Sequence, residues 1–384
     1  MHETSTQDDD ATLPTLGLIV NPVAGMGGAV GLKGTDGADI LREAQSRGAR
    51  PTSQARASLA LTQLAATTAS FRLLTGPAEM GERCARAAGL TPEVVYELGT
   101  GCSTAVDTRA TAAIMAARPV DLILFVGGDG TARDIFSSAG DRVPMVGVPA
   151  GVKMHSALFG TNPANAGRLA GLYLSRNPVA RLREAEIMDL DEAAIRNDTM
   201  SARLYGYARS PFERHLVQNA KSGSRPGSEQ DLEAAAHQLA RGMRPDCLYI
   251  LGPGTTTQRI AGALNLHSTL LGVDAVLDGK MVGTDVDEST LLRLMSGRET
   301  RIVVGVLGGQ GSLFGRGNQQ ISPRVIREAG LDHIMVFSSI EKLIALGNAP
   351  LRVDTGDLEL DERLTGYIHV QTGNDHSVIH KVAS

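Results

Sequence analysis

The arrangement of apolar and polar positions changes character along the chain. Between residues 15 and 160, short apolar runs alternate with glycine-rich turns and stretches of helical period. The runs 16–21 (LGLIVN), 71–75 (FRLLT), 93–97 (EVVYE), 121–126 (DLILFV) and 144–148 (PMVGV) predict strands, and 38–47, 79–88, 105–117 and 131–138 predict helices. Nearly continuous apolar strands such as DLILFV suit a parallel sheet buried on both faces. The expected N-terminal domain is therefore a doubly wound, mostly parallel α/β sheet, with ligands off the carboxyl ends of its strands.

Near residue 180 the helical period fades, and apolar and polar residues alternate as in half-buried antiparallel strands. The segment 219–228 (NAKSGSRPGS) reads as an exposed loop, followed by a helix that Ser228 can cap and Gly242 can end. Strand–turn–helix units return at 247–262 and 301–327, and LRVDTGDLEL, LTGYIHVQTG and SVIHKV read as strands. The expected plan is a disordered tail over 1–13, an α/β domain over 14–165, a second, β-rich mixed α/β domain over 180–345, and C-terminal strands over 346–384 that pack back on the core.

Composition narrows the function. A chain of 384 residues exceeds one ordinary core. A net charge of −5 without a basic tract argues against wrapping nucleic acid, and 3% aromatic residues with no tryptophan argue against a base-stacking platform. Three widely spaced cysteines without a CxxC or a Cys/His cluster argue against disulfides and structural zinc. No apolar run reaches the length of a membrane span, and the acidic start MHETSTQDDDAT is unlike a signal peptide. The expectation is a cytoplasmic protein with no nucleic-acid or membrane partner.

Three turns share one plan: LILFVGGDGTARDI (122–135), LYILGPGTTTQRI (248–260) and VVGVLGGQGSLFG (303–315). Each has an apolar strand, a glycine turn, a hydroxyl residue (Thr131, Thr255 or Ser312) at an expected N-cap, and an expected helix start, which together favour anions. Only the first has an ionisable apex, Asp129; the others have Pro253 and Gln310. A carboxylate between glycines at the end of a central strand can accept a proton from a hydroxyl, or hold Mg²⁺ bridging phosphates.

The loop after the first strand, VNPVAGMGGAVGLKGTDG, fits neither standard nucleotide loop. Gly25, Gly27, Gly28 and Gly31 give GxGGxxG in place of GxGxxG, and Lys33 is not in a GK[ST] context. Backbone donors with one lysine suit phosphate in general.

VNPVAGMGG, FVGGDGTARDI and PMVGVPAGVKMHSALFG together resemble the ATP–NAD kinase family, within a superfamily that includes diacylglycerol and sphingosine kinases. The resemblance runs over roughly 14–384 and is nearest to the acetoin-catabolism protein X branch, which shares the GMGGAVGLKGTDG loop and LGPGTT. It implies a NAD kinase-like fold and ATP-dependent, Mg²⁺-assisted phosphoryl transfer to a hydroxyl, the 2′-hydroxyl of NAD in NAD kinases. By the same resemblance Asp129 is the base or orienting group. Asn21, Pro22, Gly25, Gly27, Gly28, Gly127, Gly128, Gly130, Thr131, Gly254, Thr255 and Thr256 then form the nucleotide-binding turns. The family's Asn-Glu or Asn-Asp pair has one local counterpart, Asn197-Asp198, and GLKGTDG lies outside the ordinary NAD kinase pattern.

Lys33 and Lys153 are expected to hold phosphates, and Asp36, His155 and Asp274 (read as ending an apolar strand) are further substrate candidates. Asp107 and Asp134 read as helix-start acids. The expected partner is a small-molecule substrate, NAD or another hydroxyl compound, in a homo-oligomer, a dimer. Open alternatives are a kinase for another small metabolite or a lipid alcohol, a polyphosphate donor in place of ATP, and a catalytically silent nucleotide-binding regulator.

Overall fold

The computed structural model describes residues 13–32, 38–68, 70–99, 102–152, 154–190, 202–213, 216–217, 228–307, 311–347, 349–374 and 376–384. Five parallel strands, β1 (Thr15–Val20), β2 (Arg72–Thr75), β3 (Glu93–Val94), β4 (Leu122–Gly127) and β5 (Met145–Pro149), form one sheet in the order β3-β2-β1-β4-β5. The helices between and after them are α1 (Ala38–Ser46), α2 (Ser53–Thr67), α3 (Glu82–Ala87), α4 (Ala105–Ala116), α5 (Asp129–Ala139) and α6 (Pro163–Leu174). Alternate strand residues explain the two layers. Leu16, Leu18, Leu122 and Leu124 pack with α2 and α6, whereas Ile19, Ile123 and Phe125 pack with α4 and α5.

The antiparallel hairpin of β6 (Arg181–Leu190) and β7 (Ala202–Phe212) follows, and its Ala185, Ile187 and Ala208 join the core on the α5 side. The remaining elements are α7 (Ser228–Arg241), β8 (Leu248–Leu251), α8 (Thr255–Ala263), β9 (Asp274–Leu277), β10 (Lys280–Gly283), α9 (Glu288–Met295), β11 (Thr300–Gly305), β12 (Ser312–Phe314), α10 (Pro323–Ala329), β13 (Ile334–Phe337), α11 (Ile340–Leu346), β14 (Leu351–Val353), α12 (Leu358–Leu364), β15 (Gly366–Gly373) and β16 (His376–Ala383). Their strands form a nine-stranded mixed sheet, β10-β9-β8-β11-β13-β15-β16-β14-β12. No helix among the described residues is long and apolar enough to cross a membrane.

Two local expectations change, and one helix is added. Ser312 opens a strand, not a helix, so the third glycine turn leads from β11 into β12. GDLEL contributes α12, capped by Asp357, whose carboxylate accepts from the Leu360 N–H at 3.0 Å. Helix α2 is an addition, since no helix is predicted over 53–67; it buries Ser53, Ala57, Ala60, Leu61 and Leu64.

The two sheet units meet through their loops. The Gly317 N–H donates to the Val152 carbonyl at 2.9 Å, and the Glu288 N–H to the Ala29 carbonyl at 3.3 Å. Arg56 pairs with Asp354 at 2.8 Å, and Arg316 donates to the Gly160 and Thr161 carbonyls at 3.3 and 2.6 Å.

The cysteines separate by exposure. Cys84 and Cys247 are buried, and burial pushes both thiols up, Cys84 to about 11, while Cys102 is exposed. Since the thiolate is the reactive form, a maleimide titration of the native protein is expected to modify Cys102 fast and the other two only in denaturant. Equal labelling rates would contradict this packing.

Candidate active site

Strands β1 and β4 are neighbours where the strand order reverses, the place at which open α/β sheets bind ligands. Asn21, just past β1, fastens to both sides of this point. Its main-chain N–H donates to the Val126 carbonyl, and its Nδ2 donates to Thr131 Oγ1, each at 3.0 Å.

Helix α5 begins directly after β4. Gly128 is its N-cap, and Asp129, Gly130 and Thr131 are its first three residues. Thr131 therefore stands two positions inside the helix, not at the cap. The side chains of Thr104, Asn162, Asp287, Ser322, Ser339 and Asp357 cap their helices; Gly128 has none. The first return bond in α5 runs from the Ala132 N–H to the Gly128 carbonyl at 3.0 Å. The N–H groups of Gly130 and Thr131 thus have no acceptor among the described residues, at the positive end of an 11-residue helix.

Close approach explains the glycines. The Ala150 and Gly151 N–H groups both donate to the Gly127 carbonyl, at 3.0 and 3.2 Å, closing the turn after β5 against the turn after β4. A Cβ on Gly151 would stand 2.8 Å from the Gly128 Cα, so only hydrogen fits between the turns.

Asp129 lies between these turns and is 5% exposed. Its Oδ2 accepts from the His155 main-chain N–H at 2.7 Å. Its Oδ1 accepts from the Ser156 N–H at 3.0 Å and the Ser156 hydroxyl at 2.5 Å. The same hydroxyl accepts from the Met188 N–H at 2.9 Å, so one chain of bonds joins β6, the loop after β5 and α5. A buried carboxylate needs such donors, and here they fix its orientation.

The other predicted residues divide into groups. Pro22, Gly25, Gly27 and Gly28 lie in consecutive turns over 22–31. The N–H groups of Ala24, Met26, Gly28, Gly31 and Leu32 donate back into that loop, giving a compact wall where the sequence suggested an open cradle. Gly28 rests on Gln319, and Gly31 comes near Asp285 and Asp287.

In the second sheet unit, Gly254 is the N-cap of α8 and Thr255 its exposed first residue, so here too the cap precedes the expected position, by one residue. Thr256 is buried beside Gly305, and Thr257 donates from Oγ1 to the Gly254 carbonyl at 2.9 Å. Asp274 opens β9 where the sequence suggested a strand end. Its carboxylate accepts from Thr269 N–H and Oγ1 and from the Asp285 N–H, at 2.7, 3.0 and 2.8 Å; burial raises its pKa and these bonds oppose the rise. Asp107 completes the cap of α4 and accepts from Tyr96 at 2.7 Å, which lowers its pKa. Asp134 pairs with Arg109 at 3.0 Å. Lys33, Asp36, Lys153, Asn197, Asp198 and Gln310 lie outside the described residues.

Sequence reasoning missed Ser156 and Gly151. The signal for both is register: Gly127 pairs with Pro149, which carries residues 150–156 past the apex of the β4 turn.

Two family models match this chain: the ATP-NAD kinase N-terminal domain over residues 16–177 and the ATP-NAD kinase C-terminal domain over residues 245–382. The chain belongs to the ATP-NAD kinase family. It is accordingly a phosphotransferase with an alcohol acceptor, in a family that uses ATP as phosphoryl donor. Comparison with curated proteins and with solved structures gave no match. The N-terminal kinase match contains the β1 loop, the Asp129 turn and the turn after β5, and the C-terminal match contains Gly254–Thr256 and Asp274. The β6–β7 hairpin, which supplies the Met188 N–H, falls between the two.

Proposed function

We propose that the protein transfers the γ-phosphoryl group of ATP to the 2′-hydroxyl of NAD, with Asp129 as the group that orients and deprotonates that hydroxyl. The observation that carries the reading is the uncapped start of α5. It sets the unmatched N–H groups of Gly130 and Thr131 beside a fixed carboxylate at the strand-order reversal. Those donors and the helix dipole favour an anionic phosphoryl group, and glycine permits its close approach. Asn21 holds Thr131 Oγ1 in place, and Ser156 and the His155 N–H hold the carboxylate.

Among the described residues no three His, Cys, Asp or Glu side chains converge as a metal cage. A Mg²⁺ ion, when bound, would be carried chiefly on the donor's phosphates and screen their charge, the usual arrangement for this ion. Gly254 and Thr255, at the likewise uncapped GPGTT turn, are the proposed second contact to the nucleotide. We also place the chain in the acetoin-catabolism protein X-like branch, on GMGGAVGLKGTDG and LGPGTT.

One observation favours a second reading. The same bonds that fix Asp129 also tie down the loop after β5, so the acid would serve equally well in a catalytically silent nucleotide sensor. Mass spectrometry after incubation with ATP, Mg²⁺ and either NAD or a panel of small alcohols separates these readings. NADP from NAD is the expected product. Product from another alcohol alone would replace the acceptor, and no product, with retained nucleotide binding, would favour the sensor.

A further inference from the structure

Asp274 is a buried carboxylate to which the transfer reaction gives no part. It opens β9, is 1% exposed, and its bonds go to the protein. One set of donors comes from the segment before β9 and another from the segment after β10. Oδ2 accepts from the Thr269 N–H, and Oδ1 accepts from the Thr269 hydroxyl and the Asp285 N–H. Asp285 reaches it with φ at 49°, in the left-handed region, where residues other than glycine stay only when their surroundings hold them. The fit is close. A Cβ on Gly272 would run into both Asp285 Oδ1 and Thr269 Oγ1.

Each held segment makes further bonds, and these lead to the two glycine loops. One residue past Thr269, the Leu270 carbonyl accepts from the Gly254 N–H at 2.8 Å. Gly254 is the N-cap of α8 and brings no side-chain bond to that cap, so the Leu270 bond is a fixed point of the GPGTT turn. On the other side, the Val286 N–H donates to the Val273 carbonyl at 2.8 Å, and Asp287 caps α9 by accepting from the Thr290 N–H at 2.9 Å. The Glu288 N–H then donates to the Ala29 carbonyl of the β1 loop, and Gly31 of that loop lies nearest to Asp287 and Asp285. One carboxylate thus stands between the GPGTT turn of its own unit and the seat of the β1 loop from the other. Without it three donors lose their acceptor together, and both segments lose the group that sets their course.

We propose that Asp274 is a positioning residue for phosphoryl transfer, which fixes the GPGTT turn and the seat of the β1 loop as one unit and through them sets the affinity for ATP. The coupling runs along hydrogen-bonded segments and needs no contact between Asp274 and a nucleotide. Its functional half rests on the Gly254–Thr255 contact proposed above. It does not rest on the role of Asp129, whose donors His155 and Ser156 lie in the other unit.

Two measurements on the full chain test this. In NMR spectra of the isotope-labelled, ligand-free protein, Asp274→Asn is expected to move the Gly254 and Glu288 amide protons upfield, as lengthened hydrogen bonds do. Thr269 and Asp285, which bond the carboxylate directly, should move with them. Isothermal titration with ATP should show a Kd raised roughly two- to thirty-fold, the span for substitutions that act through intervening residues. A merely structural loss would lower the fraction of molecules that bind, read as the stoichiometry, and leave Kd where it was. Thr269→Val keeps the carboxylate and removes only the hydroxyl donor, so it should move both readouts in the same direction. Thr269→Ser should behave like wild type, and this pair decides the matter if Asp274→Asn does not fold. Thr255→Glu, at the exposed first residue of α8, is the control for the nucleotide contact: it should weaken ATP binding and leave the Glu288 resonance in place. Shifts confined to Thr269 and Asp285 would overturn the proposal, as would a wild-type Kd in Asp274→Asn beside weakened binding in Thr255→Glu. A wild-type Kd in both variants, or no ATP binding at all, overturns the nucleotide contact instead. The Gly254 and Glu288 resonances then uphold or refute the link by themselves.

Discussion

Asp129→Asn is expected to lower kcat by roughly a hundred- to ten-thousand-fold, the range for removing a positioned general base. The substitution has a second effect that must be read separately. The carboxylate accepts from two main-chain N–H groups on different oxygens, His155 on Oδ2 and Ser156 on Oδ1. Asparagine offers one acceptor and turns its NH₂ toward one of those donors. An unmatched buried polar group costs about 1–3 kcal/mol, so the melting temperature should fall as well. Ser156→Ala separates the two contributions. It removes the 2.5 Å hydroxyl bond and leaves the acid in place, so it should lose stability with a much smaller loss of kcat. If Asp129→Asn were folded and turned over like wild type, the role given to this residue would be wrong.

Gly167→Ala should produce a large loss of stability. Helices α2 and α6 cross at this residue, and an added Cβ would lie 1.9 Å from the Ala60 carbonyl oxygen. Main chain cannot swing away as a side chain can, so the helices must part along their contact. Gly171, one turn later, faces the same barrier, with Thr67 Cβ at 2.6 Å. Overpacking of this kind costs about 1–3 kcal/mol or more, or roughly 2–12 °C in the melting temperature of a domain of this size. A thermal melt checks it, and an unchanged midpoint would show that the helices pack less closely than described.

Much of the first sheet was legible because its strands are buried on both faces, and continuous apolar runs such as DLILFV have few alternatives. Helix α2 was not read from the sequence, since its buried face mixes Ser53, Ala57 and Ala60 with Leu61 and Leu64, and its close crossing depends on glycines in α6, about a hundred residues later. The three similar turns show where local pattern stops. GGDGT and GPGTT each start a helix, but the cap position falls on a glycine (Gly128 and Gly254) and not on the threonine. GGQGS has the same spacing, yet Ser312 enters β12 beside β14, a pairing that no window around Ser312 contains. Asp129 was visible as the one acid among these turns. Its partner Ser156 was not, because it arrives through the register of β5 against β4.

The junction of the two sheet units relies substantially on peptide groups. Gly317 and Glu288 donate main-chain N–H groups across it, and Arg316 crosses it to reach carbonyls. Burial keeps Arg316 near a pKa of about 10, so it stays protonated at neutral pH. Charge reversals on the surface, or added salt, would therefore be poor tools for loosening this junction. The amide protons of Gly317 and Glu288 make better reporters, since their deuterium uptake reads directly how often the two halves of the kinase part.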